Sequence, residues 1–586
     1  MVSRRPQTSK EALVQLQRLN MVNFIKLCSW GKSDLASLCL VSKAVNNIAT
    51  PFLHRSVNIE LRGNYLVEAQ DGLVLRLLDA SPDSPQHFVQ EITILPHERM
   101  VLKQRGRKHL STLIERLPNL RCVKLKIPCD FNNQYITSIE KHPKKPELHL
   151  LKEDGLTYCP RLLPAVTTLK VTNNFWCPDR AEPENFLSFI TSCPNLKSCD
   201  WEQHTYLIWP ERLEGFDMHK TFPSVEHLAL DMYDLGSEIL TLGPNGPFNW
   251  SSLRSLKLGG SQWEYASKNM KLLTGRMVNL RRLQVSRNRS DVSESCRNLE
   301  NFLESFDTLV DLTMFNCFVP FDAIACHTNL INLCVHHDET WKSDAVRHVA
   351  ETEDLIDLDA SCPYIESLEL DIERVDNDWP YEVLDTFASR FPNMKTLSLH
   401  SLVGNFEDRR PYFTGGGPDS FFEPYLTYKE AEKIGSQFFE ARHEVFRASP
   451  ECVEMVNGLG RFQKLTLGAG THKGRRRYVD ESFRGTERFN TLTFKLLPPE
   501  TVGEAPALVH SERDEVEELY RSSTQESSDK RWLNHLRWVV GIAKKGPCRV
   551  PTVNPSGEKS YYKTRETRQL GPVATRRSGR LAQVQD

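Results

Sequence analysis

Two short runs carry the residues in this chain whose types most suggest chemistry. CHTNL begins at Cys326 and VHHDE at Val335, so Cys326, His327, Cys334, His336, His337 and Asp338 fall close together. Thiolates, imidazoles and carboxylates at short range are the ligand set of a transition metal. The spacing here matches no zinc finger, in which paired ligands stand two to five residues apart in two groups. Cys334 lies between Leu333 and Val335 in an alternating apolar run. Neighbouring His336 and His337, if both on that strand, point to opposite faces. The expectation is therefore no metal and no cofactor.

Other candidates for chemistry also fall away. Gly415-Gly416-Gly417 is followed by Pro418, and no Lys-Ser/Thr pair stands where a phosphate loop needs it. HExxH, GxSxG and GxGxxG are missing in any suitable context, so catalysis is not expected. KGRRR at Lys473 to Arg477 is a basic cluster; it reads first as a solvated loop, with a nuclear-localisation signal or a contact for an acidic partner as the alternatives. A net charge of −2 across the 586 residues argues against nucleic acid and against a membrane surface as partners. No apolar run approaches the roughly 18 residues that span a bilayer, and the first twenty residues do not read as a secretory signal. The 15 cysteines form no CxxC pair and are odd in number, which fits buried reduced thiols in the cytoplasm, the nucleus or both.

The elements behind these residues are periodic. LPNLRCVKLKI, CPNLKSCDWE, FPSVEHLALD, WSSLRSLKLGG, MVNLRRLQVS, FDTLVDLTMF, HTNLINLCVH, CPYIESLELDI and FPNMKTLSLHS share one pattern. An apolar residue is followed by two variable residues, an apolar one, a variable one and another apolar one. Leu196, Val225, Leu253, Leu280, Leu309, Leu330, Ile365 and Met394 hold the first of these positions. The later pair, such as Leu228 and Leu230, alternates as on a short strand. Between the strands, LSTLIERL, PENFLSFITSC and LENFLESF space their apolar residues as amphipathic helices do. Such a unit cannot bury its apolar face alone, so neighbours must stack. Phe438, Phe439, Ala441 and Val445 are candidate buried residues of a further helix in YKEAEKIGSQFFEARHEVF.

This pattern resembles the leucine-rich-repeat proteins with long, irregular, helix-containing repeats, over about residues 110–400 and with RFQKLTLGAG and FNTLTFKLL as further terminal units. The asparagine or cysteine usual after the LxL is mostly missing, although MFNC at Met314 comes near it. The resemblance implies an α/β solenoid, with parallel strands on a concave face and helices on a convex one.

Near the N-terminus, DLASLCLVSKAVNNIA at Asp34 looks like the second half of an F-box: Asp34-Leu35, Leu38 and Val41-Ser42 stand at the family's spacings. LNMVNFIKLCSW would be its first helix, with Leu19, Val22, Ile25 and Leu27 as apolar residues, although the family's opening Leu-Pro is absent. Pro51 reads as the first turn of a new short helix, and Val57, Ile59 and Leu61 as a first strand. The continuation resembles the way F-box proteins of fungi run into leucine-rich repeats.

The resemblance implies a substrate receptor of a cullin-type ubiquitin ligase. A Skp-type adaptor would dock on Leu19, Val22, Ile25, Leu27, Leu35, Leu38 and Val41, and the solenoid would present a protein substrate that the sequence does not identify. The Gly- and Pro-rich insertion reads first as a packing or capping element at the solenoid end; as a loop bending over the concave face it would offer Tyr412, Phe413, Phe421, Phe422 and Tyr425 as candidate substrate contacts. The alternative is a repeat scaffold with no ubiquitin role, the N-terminal helices serving only as a solenoid cap. A cap would bury all its apolar residues against the first coil; a docking module would leave some exposed. The expected layout is a disordered start at 1–11, an F-box-like module at 12–56, a solenoid at 57–400 and an insertion at 401–458. Terminal repeats and capping helices follow at 459–543, and a basic disordered tail at 544–586.

Overall fold

The computed structural model describes residues 32–401, 428–447, 462–469, 491–497 and 507–510. Within the first span it leaves out 63–64, 67–72, 80, 82–83, 97–103, 127–133, 153–160, 174–188, 204–221, 232–248, 260–262, 288–292, 318, 338–348 and 374–378. All described residues belong to one compact unit. The expected disordered termini, the first F-box helix, the aromatic insertion, the KGRRR cluster and the capping helices expected before residue 543 lie outside the described residues.

The chain is α/β. It opens with two helices, α1 (Lys32–Cys39) and α2 (Lys43–Leu53), and then enters a sheet at β1 (Ser56–Arg62). A two-residue strand, β2 (Tyr65–Leu66), returns antiparallel on β1, and β3 (Glu91–Pro96) lies parallel on its other side. From there every strand pairs in parallel with the next in chain order: β4 (Cys122–Leu125), β5 (Glu147–Lys152), β6 (Val166–Asn173), β7 (Ser198–Gln203), β8 (His227–Asp231) and β9 (Ser255–Gly259). The ladder continues through β10 (Arg282–Ser286), β11 (Asp311–Phe315), β12 (Asn332–His336), β13 (Ser367–Ile372), β14 (Thr396–Ser401) and β15 (Lys464–Ala469). Such chain-order stacking of parallel strands is compatible with a solenoid.

The repeat pattern explains the packing. Leu196, Val225, Leu253, Leu280, Leu309, Leu330, Ile365 and Met394 are all buried, as are the alternating strand residues behind them. They join one continuous core with residues from α4 (Gln104–Arg116) and α7 (Ser293–Glu304), including Leu110, Leu113, Ile114, Leu299, Phe302 and Leu303. The residues between the strand leucines point to the sheet's other face, called here the open face. Three further rungs, β3, β5 and β6, enlarge the ladder beyond the nine repeats read from sequence. Their leading turns, FVQ, KKP and LPA, lack the residues that mark the others.

A side-chain ladder runs beside the strands. Asn119, Asn195, Asn279 and Asn393 each donate Nδ2–H to a carbonyl of the preceding coil: His87, Pro164, Ser251 and Pro363, at 2.7–2.9 Å. The asparagine missing after the LxL is thus supplied before the strand, in the turn. Each such bond contributes on the order of 1 kcal/mol and fixes the offset between coils.

The C-terminal end departs from expectation in two ways. β15 is a true rung, but FNTLTFKLL forms β16 (Thr491–Leu497), antiparallel to β15, and β17 (Ala507–His510) pairs antiparallel with β16. Helix α11 (Tyr428–Arg447) buries Phe438 and Phe439, with Ala441 packed alongside, while Val445 is exposed. The side chain that fixes this helix is Arg442. It is fully buried and donates to the carbonyls of Phe387 (3.2 Å), Ala388 (3.4 Å), Arg390 (3.0 Å) and Phe391 (2.8 Å). The first three belong to the last turn and C-cap of α10 (Tyr381–Ser389), and Phe391 lies just beyond it; a cation there also opposes the helix dipole. Among the described residues no helix is long and apolar enough to cross a membrane.

Candidate functional site

The N-terminal helical pair is held together by its own small core. Ser42 caps α2, its hydroxyl accepting from the Val45 amide at 3.2 Å. Pro51 does not start a new helix; α2 runs through it to Leu53, forgoing one backbone bond. Leu35 and Ala49 are buried at the crossing of the two helices, with Leu38, Cys39, Ile48, Phe52 and Leu53 packed around them. None of these residues joins the ladder core, which begins with Val57 and Ile59. The joint is backbone: the Arg55 carbonyl accepts from the amides of Gln90 (2.9 Å) and Glu91 (3.0 Å) at the first parallel rung. Burial, then the charges of Arg76 and Lys32, lower the pKa of His54 at this joint.

Between the helices, Leu40 is 88% exposed and Val41 68%. Of the expected adaptor contacts, Val41 therefore stands in solvent, Leu38 is half-buried and Leu35 is interior. Leu19, Val22, Ile25 and Leu27 lie outside the described residues. So do Tyr412, Phe413, Phe421, Phe422 and Tyr425, the expected substrate contacts. Fully burying one exposed leucine or valine yields about 1.5–3 kcal/mol, so this pair offers a partner roughly 3–6 kcal/mol before entropy is charged against it.

The open face of the sheet carries opposite charges paired between adjacent strands. Lys124 bonds Glu91 at 2.9 Å, Lys170 bonds Asp200 at 2.7 Å, and Arg282 bonds Asp311 at 2.7 Å. Burial pushes the Glu91 pKa upward, but the hydrogen bonds from Lys124 and Ser56 outweigh it and leave a net lowering. In these three pairs neighbouring opposite charges neutralise one another across adjacent strands.

Toward the ends of β12–β15 the open face holds a buried cluster. His336 Nδ1 meets Asp371 Oδ1 at 2.7 Å, the His337 amide donates to Asp371 Oδ2 at 2.7 Å, and His400 Nε2 meets Glu369 Oε1 at 2.8 Å. The His336 and His400 rings lie 4.3 Å apart. Gly468 permits this, because a Cβ there would sit 2.6 Å from His400 Nδ1. His336 and His337 were expected to face opposite ways, yet both engage Asp371: β12 ends at His336, and the alternation ends with it. Asp371, Glu369 and His400 were legible only as variable positions in LELDI and LSLHS.

The thiol and imidazole residues that first suggested a metal are distributed. His327 lies in the core against Phe306, while Cys334 is on the open face; Asp338 is outside the described residues. Among the described residues no three such side chains are arranged to hold a metal ion. Burial raises the Cys362 thiol to about 11 and the Cys122 thiol to about 11, which keeps both protonated. Neither a protein-family model nor a curated protein sequence matches this chain.

Proposed function

We propose that this protein is the substrate-recognition subunit of a Skp–cullin–F-box type ubiquitin ligase, a receptor that performs no chemistry itself. A Skp-type adaptor binds the N-terminal helical pair, and the strand ladder, read as a leucine-rich-repeat solenoid, holds the substrate protein. The observation that carries the reading is the separate core of α1 and α2, which leaves Leu40 and Val41 exposed. A helical pair serving only to cap the ladder would merge its apolar residues with the first rung. The spacing of Asp34-Leu35, Leu38 and Val41-Ser42 supports the same reading.

The test is capture of purified Skp-type adaptor by the full chain and by a Leu40→Asp, Val41→Asp double variant. Both positions are exposed, so the variant is expected to melt as the wild type does. Capture by the wild type, lost in the folded variant, supports the receptor. A folded wild-type chain that captures none at high micromolar adaptor leaves a repeat scaffold with no ubiquitin role.

A further inference from the structure

Among the described rungs the ladder has one register fault, and it lies beside a groove. Leu148 of β5 pairs with Val166 of β6, but His149 pairs with Thr168, so Thr167 is an extra residue with no partner across the rung. Bulges of this kind re-aim side chains and occur next to binding sites. Thr167 is more than nine-tenths buried, and its Oγ1 has no hydrogen-bond partner. It lines an open groove of about 770 Å3 where the turns leading into β5–β8 stand side by side, a size within the usual range for ligand sites.

Across this groove stands Glu140, from α5 (Gln134–Lys141). Its Oε2 is held by Arg161 Nη1 at 2.9 Å, while its Oε1 is buried and unpartnered. The carboxylate is therefore fixed in place with one acceptor unused. Leaving a buried acceptor or hydroxyl unpaired is costly, and two in one groove suggest that a ligand supplies the missing donor. Lys145 at the rim adopts φ +45°, a left-handed conformation rarely taken by a non-glycine residue.

We infer that this groove binds an extended segment of a partner protein, with a lysine or arginine side chain reaching Glu140 Oε1 and Thr167 Oγ1. Pro146, Pro164 and Pro194 supply apolar walls for the stem of such a side chain. Glu147 and Glu226 add carboxylates at the rim, which disfavour a phosphate backbone. Lys145 and Lys197, both exposed, are placed to donate to the carbonyls of the same segment. A polypeptide offers both a cation and carbonyls, whereas a simple polyamine offers only the first. The inference rests on the receptor reading only in taking a protein segment as the occupant.

The experiment is selection of a randomised peptide library on the full chain, repeated on Glu140→Gln and Thr167→Val variants. Enrichment of Lys or Arg at a fixed position on the wild type is expected. Titration of a selected peptide should show about tenfold weaker binding to Glu140→Gln and a severalfold loss with Thr167→Val. Thr167→Val should also raise the melting temperature of the free chain, because it removes an unpaired buried hydroxyl; a purely structural hydroxyl would lower it. The inference is overturned if no peptide is enriched, if acidic or apolar centres are enriched instead, or if both variants bind the selected peptide as the wild type does. Because adaptor capture is measured separately, a chain that fails it yet selects cationic peptides keeps this groove and loses the ligase reading.

Discussion

His327 occupies a turn position that most other described coils fill with apolar residues; His142 also holds it, but with its ring bonded to the Leu117 carbonyl. Leu117, Cys193, Met277, Cys362 and Phe391 each open the same hydrogen-bonded turn, in which the amide three residues on donates back to their carbonyl. His327 does likewise through Leu330, is fully buried, and has no partner on either ring nitrogen. Burial lowers its pKa from the ordinary 6.5 to about 4, against a smaller opposing effect of Asp307. The unfolded chain then binds the proton more readily than the folded one. Stability from this group is complete above pH 6.5 and is lost as pH falls toward 4. The loss amounts to about 2 kcal/mol at pH 5 and about 3 kcal/mol at pH 4. Urea unfolding of wild type and His327→Leu at pH 7.5 and pH 5 measures it. The difference between the two proteins isolates this residue from the carboxylates, which titrate in both. The variant should gain about 2 kcal/mol relative to wild type on going from pH 7.5 to pH 5. Parallel pH dependence in the two proteins would refute the assignment of His327 as a neutral core residue.

Two further perturbations probe the ladder's C-terminal end. Arg442→Met removes four donations to the end of α10 while keeping much of the side-chain volume. It should destabilise by about 3 kcal/mol, seen as a lowered urea midpoint and faster amide exchange along α11. Gly468→Ala places a Cβ against the His400 ring, so His400 should leave Glu369, at a cost of about 1–3 kcal/mol. Loss of the corresponding hydrogen-bonded imidazole proton signal in NMR would show it, and an unchanged spectrum would contradict the contact.

The parts of the fold that were legible in the sequence are those in which a residue's type states its environment. Leu228 with Leu230, and Leu299 with Phe302 and Leu303, announce their faces through period 2 and period 3.6. Rungs led by PNL were visible because proline and asparagine mark the turn, but the ladder role of Asn119 or Asn393 was not, since its acceptor lies about thirty residues away in another coil. Thr396 and Thr167 are the same residue type in similar apolar surroundings; only the register shows that the second is an insertion. The polar cluster was hidden for a related reason. His336, Asp371 and His400 sit at positions the repeat leaves variable, and stacking alone brings them together. At the N-terminus, the sequence marks Leu40 and Val41 only as apolar, and the separate core of Leu35 and Ala49 shows that they remain outside it.

The central claim is that α1 and α2 form a handle distinct from the ladder. Hydrogen–deuterium exchange of the full chain, with and without purified Skp-type adaptor, tests it most directly. The account predicts slowed exchange across Lys32–Leu53 on adding adaptor, with the amides of β3–β15 unchanged. No change over Lys32–Leu53, or protection confined to the ladder, would contradict it.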